Sequence, residues 1–231
     1  MEESTGDDFN FAQREHCMNI LLIHGLGRTP LSMRSLSQAL AEAGHQPMSF
    51  GYTTLTESFD EIVGRLRDRL QVLSQNPPYG VVTHSMGGVL VRAALSGSDP
   101  GSDLAEPALL SPAHVVMLAP PNQSPRLARI ACHLPPFLWF AGQSGQNLAS
   151  KAFYESLPKL TCPYTLITGN IGITGSLSPF GSEINDLVVG SEESKMYPYD
   201  KLIEVPAPHS FIMNNKLAQS ETLRAFANTL S

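Results

Sequence analysis

The stretch "YGVVTHSMGGVLVRAAL", Tyr79 to Leu95, decides the fold. Its first half, "YGVVTH", is a β-type run that reads as a strand. Its second half is helical in type, and the two are joined by a turn in which Ser85 stands between His84 and Met86 and ahead of Gly87 and Gly88. Glycines remove side chains where a sharp strand-to-helix turn forces the backbone close to its neighbours. In an open parallel sheet, ligands bind beyond the carboxyl ends of the strands, so a hydroxyl at this turn occupies a site position.

Working outward, the same unit recurs. "NILLIHG" is an apolar run ended by His24-Gly25, and Leu31, Leu36, Leu40 and Ala43 then repeat at helical spacing up to Gly44. "PMSFGY" is a short strand, and "SFDEIVGRLRDRLQVLS" puts Ile62, Leu66, Leu70 and Leu73 on one helical face with Ser58 as its cap. "AHVVMLAP", "PYTLITG" and "KLIEVP" are later strands, and "SFIMNNKLAQSETLRAFANTL" closes the chain as a helix with Ile212, Leu217, Leu223, Phe226 and Leu230 inward. Strands alternating with helices imply a mostly parallel sheet with helices on both faces, the α/β class. Residues 1–17 read as a solvated polar tail, residues 18–231 as one domain, and residues 121–158 as a non-alternating insertion within it.

Composition narrows the functions. At 231 residues with 42% hydrophobic residues, the chain can bury one sizeable core. A formal net charge of −6 without a basic stripe excludes a nucleic-acid footprint, so the expected partners are small neutral or apolar molecules. A transient contact with a membrane surface stays open, and no obligate protein partner is evident. The acidic, polar N-terminus lacks the pattern of a signal peptide, and no long apolar span follows, which makes the cytoplasm the default. Cys17, Cys132 and Cys162 are odd in number and lack metal-ligand spacing. No metal or cofactor is expected, since "HGLGRT" completes neither a P-loop nor a dinucleotide fingerprint. "NQS" at Asn122 matches the glycosylation pattern, but a chain without a signal peptide gives it little weight.

The chemistry-bearing residues fall in a consistent order. The N–H of Met86, at a helix N-terminus, points to the space above the Ser85 hydroxyl, where an oxyanion would form. A second donor on the opposite side is offered by the N–H of Leu26 in the loop "IHGLGR". His24 reads as a residue that orients this loop, and His84 as a packing or tethering residue. The base candidate is His209, just beyond "KLIEVP" on the same edge of the sheet as Ser85. The acid candidate is Asp186, followed by the apolar anchor Leu187-Val188-Val189, with Asp200 as its rival. Glu183, Glu192 and Glu193 read as solvated loop charges. The bland alternative is that Ser85 and His209 merely cap helices.

Together "LLIHGLGRTPLSM", "THSMGG", "LAPPNQSPRLA", "NDLVV" and "PHSFIM" resemble the α/β-hydrolase superfamily, and within it the small bacterial serine esterases and lipases. The resemblance spans Asn19 nearly to the C-terminus. It implies an α/β-hydrolase fold with a short cap or lid insertion, Ser85 as nucleophile, Asp186 as acid, His209 as base, and an oxyanion hole from Leu26 and Met86. It further implies cleavage of carboxylic esters, lipid-like ones included, through an acyl-enzyme. An acyltransferase or thioesterase of the same fold is the alternative, and a non-catalytic binding protein is the alternative of another class. Two positions depart from the family pattern: Thr83 stands where the elbow usually begins with glycine, and Leu187 where glycine commonly follows the acid. In the insertion, Leu134, Phe137, Leu138, Trp139 and Phe140 cluster between a short helical stretch and a glycine loop. Leu134, Phe137, Trp139 and Phe140 are candidate substrate contacts, lining an acyl pocket or a lipid-facing rim; the alternative is a small satellite core.

Overall fold

The computed structural model describes residues 17–96, 109–199 and 201–229. The expected tail, except for Cys17, lies outside the described residues, as do Asp200 and Leu230. Six parallel strands form one sheet: β1 (Asn19–Ile23), β2 (Gln46–Phe50), β3 (Tyr79–His84), β4 (His114–Leu118), β5 (Tyr164–Gly169) and β6 (Lys201–Val205), in the order β2-β1-β3-β4-β5-β6. The chain steps outward from β1 to β2, then crosses back to place β3 on the other side of β1. The crevice between β1 and β3 is therefore the switch point where ligands of such sheets bind.

Side-chain alternation explains the two cores. Leu21, Ile23, Val81, Val115, Met117 and Leu166 face α2 (Phe59–Ser74) and α3 (Met86–Leu95). Ile20, Leu22, Val82, Val116, Leu118 and Ile167 face α1 (Arg34–Glu42) and the last helix, α8 (Lys216–Ala227). β3 and β4 are buried at every residue, whereas Pro47, which cannot donate to a ladder, sits on the edge strand β2. Ser58 caps α2 as expected, in a capping box with Glu61.

Two helical expectations are corrected. Pro30–Met33 is a 3₁₀ turn, which rotates Leu31 outward to 76% exposure and buries Met33 instead. His209–Asn214 is likewise 3₁₀, and α8 begins afresh at Asn215, whose side chain accepts the Leu217 and Ala218 N–H groups. This restart shifts the phase, so Leu217 is exposed while Ala218, Thr222 and Phe226 are buried.

The segment between β4 and β5 holds α4 (Arg126–Ala131), α5 (Pro135–Ala149, bent at Gly142 with φ 51°) and α6 (Lys151–Ser156). The insertion, expected as non-alternating with a short helical stretch before the aromatics, is largely helical, and the aromatics themselves lie in α5. A short helix, α7 (Ser191–Ser194), precedes β6. Among the described residues no helix is long and apolar enough to cross a membrane.

Candidate active site

Ser85 takes φ 51° and ψ −123°, a region costing a non-glycine residue on the order of 1–3 kcal/mol. The surroundings leave it no alternative. Its N–H donates to Leu118 O at 2.9 Å and its carbonyl accepts the Gly88 N–H at 2.9 Å. A Cβ on Gly87 would lie 2.7 Å from Ile23 O, and one on Gly25 would lie 2.9 Å from Ser85 Cβ. The buried Thr83 fits without a clash: even a Cβ on Gly88 would lie 3.5 Å from Thr83 Oγ1, an ordinary contact, and its tightest approach would be 3.1 Å to Pro120. That hydroxyl is buried without a partner.

The structure brings Ser85, His209 and Asp186 into one hydrogen-bonded chain. Ser85 Oγ lies 2.9 Å from His209 Nε2, and His209 Nδ1 lies 2.7 Å from Asp186 Oδ2. The other Asp186 oxygen accepts the Val188 and Val189 N–H groups at 3.0 and 2.7 Å, and the His209 N–H donates to Asp186 O at 2.8 Å. Asp186 is 2% exposed and acts only as an acceptor toward these donors, which fixes Nδ1 of the imidazole as the protonated nitrogen and leaves Nε2 to accept from Ser85. Leu187, at the position where glycine is customary, adopts φ 84°, and its N–H is held by Asn185 Oδ1 at 3.0 Å.

Both other histidines of the site serve as struts. His84 donates Nε2–H to His209 O at 3.0 Å, and its ring centroid is 4.9 Å from that of His209. Burial, and then the neighbouring His209, hold its pKa well below the ordinary histidine value, so it is neutral. His24 bonds Gly25 O through Nδ1, accepts the Tyr52 N–H at Nε2, and stacks on Tyr52 at 4.2 Å. Burial also lowers its pKa. Tyr52, which also donates to His24 O, escaped the sequence reading because nothing local marks a residue just after an edge strand.

Met86 opens α3, so its N–H is among those without an intrahelical acceptor. Leu26 lies in a turn closed by the Arg28 N–H on Gly25 O, with Gly27 at φ 63°. The two candidate donors thus sit on the two sides of the switch-point crevice.

The four candidate substrate contacts divide. Phe140 lies over the turn, since a Cβ on Gly27 would fall 1.9 Å from its Cζ, and its carbonyl accepts from Thr54 Oγ1 at 3.0 Å. Phe137 packs within α5 against Gly145, while Leu134 and Trp139, 55% and 78% exposed, project to solvent. Two of the supposedly solvated acids are not. Glu193 is 5% exposed, accepts the Arg126 and Gly190 N–H groups at 2.9 Å and pairs with Arg126, which also pairs with Glu183. The cation that neutralises them comes from a distant part of the chain, which is why their own surroundings in the sequence look solvated. Asn122 is buried and donates to Ser194 O at 2.8 Å, an arrangement that leaves no room for a glycan. Among the described residues, no group of three or more His, Cys, Asp or Glu side chains could hold a metal ion.

This sheet order, with the strained serine beyond β3, is the α/β-hydrolase fold. Solved structures of that fold superpose on most of the chain. A phospholipase PlaB from Legionella pneumophila matches 92% of the chain with a TM-score of 0.66 at 15% identity. A soluble variant of monoglyceride lipase from Saccharomyces cerevisiae matches 93% at 0.60 and 14% identity, over 86% of its own length. RedJ, a thioesterase from the prodiginine pathway of Streptomyces coelicolor, matches 92% at 0.55 and 13% identity, over 90% of its own length. The chain spans 61% of the length of the phospholipase. No family model matches the chain, and no curated protein sequence does.

Proposed function

We propose that the protein is a serine hydrolase of carboxylic esters, with lipid-like acyl esters as its substrates. The observation that carries this reading is the unbroken chain Asp186–His209–Ser85 at 2.7 and 2.9 Å, ending on a serine held in strained backbone. Ser85 Oγ attacks the ester carbonyl as its proton passes to His209 Nε2. Asp186 stabilises the imidazolium without taking its proton. The Met86 and Leu26 N–H groups receive the oxyanion, each worth roughly 2.7–4 kcal/mol in such sites. The imidazolium protonates the departing alcohol, and water activated by the same imidazole releases the acyl group. Neutral imidazole is the working form of the base.

The lipid-like preference is supported by the loops leaving the carboxyl ends of the strands, which expose Leu31, Leu55, Leu134, Trp139, Leu177 and Phe211. The deciding experiment is hydrolysis of p-nitrophenyl esters from acetyl to palmitoyl by wild type and Ser85→Ala. A rate peaking at medium or long chains and reduced on the order of 10⁴-fold or more in Ser85→Ala is expected. An optimum at acetyl would remove the lipid preference, and a rate indifferent to Ser85 at every length would refute the mechanism.

A further inference from the structure

Beside the turn that carries Leu26 lies a cavity of about 170 Å³, walled by Arg28, Thr29, Thr53, Thr54, Leu55 and Phe140. Its one cation is underused. Arg28 Nη2 donates to Ser210 O at 2.5 Å, its Nε is buried without a partner, and no described carboxylate lies within ion-pair distance of it. The carboxylate nearest in sequence to the cavity wall, Glu57, is already engaged by Arg65 and by the Thr53 N–H. A guanidinium carries five N–H donors in a planar fork suited to carboxylate or phosphate, and a half-buried one without a counter-charge is a costly arrangement. The cavity is also in the right place, because Arg28 lies two residues from Leu26 and its Nη2 donates to the carbonyl of the residue after His209.

We infer that this cavity is an anion subsite: the ester that Ser85 cleaves carries a carboxylate or phosphate that Arg28 binds, with the threonine hydroxyls as supplementary donors. The inference builds on the hydrolase reading and names the class of its substrate. The shared chemistry is the anion. Its source, the acyl part or the alcohol part, is resolved by two matched pairs of esters: p-nitrophenyl hemisuccinate against p-nitrophenyl butyrate, and 1-butyrylglycerol 3-phosphate against 1-butyrylglycerol.

Binding is tested apart from turnover. Ser85→Ala protein is titrated with inorganic phosphate and followed by amide chemical shifts. Saturable binding is expected, weakened about tenfold by Arg28→Gln and by Leu55→Glu, which puts a negative charge on an exposed wall position where folding is undisturbed. In the Ser85-intact enzyme, the charged ester of at least one pair is favoured about tenfold in kcat/KM, and the preference resides in KM; Leu55→Lys raises it and Leu55→Glu lowers it by about threefold each. Phosphate binding that is absent, or indifferent to both Arg28→Gln and Leu55→Glu, overturns the subsite. So does a wild type that hydrolyses charged and neutral members of both pairs equally. A wild type that binds phosphate at Arg28 yet hydrolyses none of the four esters refutes the hydrolase reading instead.

Discussion

Residues 79–95 and 121–158 meet where the Arg92 side chain donates to Asn122 O, Leu157 O and Pro158 O, but they are held by different means. The first is buried along almost its whole length, and its unusual backbone is dictated by carbonyls and ring atoms under 3 Å from where a side chain would start. The second is buried less evenly: α4 has no buried residue, and Trp139 of α5, at 78% exposure, is far more exposed than Phe140 beside it. Close-packed backbone holds Ser85 in place, while residues 121–158 keep apolar surface exposed. Precision and adaptability are thus assigned to separate stretches of chain.

The contrast can be broken most forcefully at Gly87. Gly87→Ala drives a methyl against Ile23 O, and we expect a loss of about 2–3 kcal/mol, a fall in melting temperature of roughly 5–10 °C, and loss of the proposed esterase activity. Thermal unfolding measures it, and an unchanged midpoint would mean that the elbow is softer than its contacts imply.

Next in size is a pH effect centred on the buried histidines. His84 is neutral in the fold and shares its surroundings with His209, Arg28 and His24. Below about pH 6.5 the unfolded chain takes up a proton that folded His84 refuses, so stability falls with falling pH by about 1.4 kcal/mol per unit for each such histidine. Urea midpoints at pH 7 and 5.5 should show this slope, and His84→Gln should remove one proton's share of it; His24, also depressed, supplies a second share.

Smaller still is a gain. Thr83→Val replaces a buried, unpartnered hydroxyl with a methyl of like shape, and about 1 kcal/mol of added stability is expected in chemical denaturation. At the bottom of the scale, Trp139→Ser should leave stability within about 0.5 kcal/mol of wild type, because the indole is already in solvent. Its effect should be confined to kcat/KM for long-chain esters. A cooperative loss of stability there would place Trp139 in the core and erase the distinction between the two regions.

What was legible in the sequence follows the same division. β1, β3 and β4 are buried on both faces, so their apolar runs announce themselves, and the order Ser85, Asp186, His209 is matched by a chain of hydrogen bonds among those residues. Thr83 and Leu187 looked like departures, yet Thr83 fits its buried site without a clash, and the Asn185 side chain supports Leu187 at φ 84°. Such compensations are tertiary and leave no periodic trace. The helical character of residues 135–149 was hidden because Pro-Pro at the start and glycines within resemble loop punctuation, although proline is at home in a first helical turn. Leu31 and Leu217 were misplaced because a 3₁₀ turn and a fresh cap reset a helical phase that a fixed 3.6-residue count cannot follow.

Arg126, gripping Glu183 and Glu193, sets a limit on modularity. The segment that begins at α4 is fastened to the very loop that supplies Asp186, so the two are not independent parts. Transplanted alone into another scaffold of this fold, residues 121–158 would arrive with an arginine lacking its acceptors and leave behind two acids without their cation. An engineer who wants to exchange this segment for another must move residues 183–193 with it, and lineages that diversify one should show matched changes in the other.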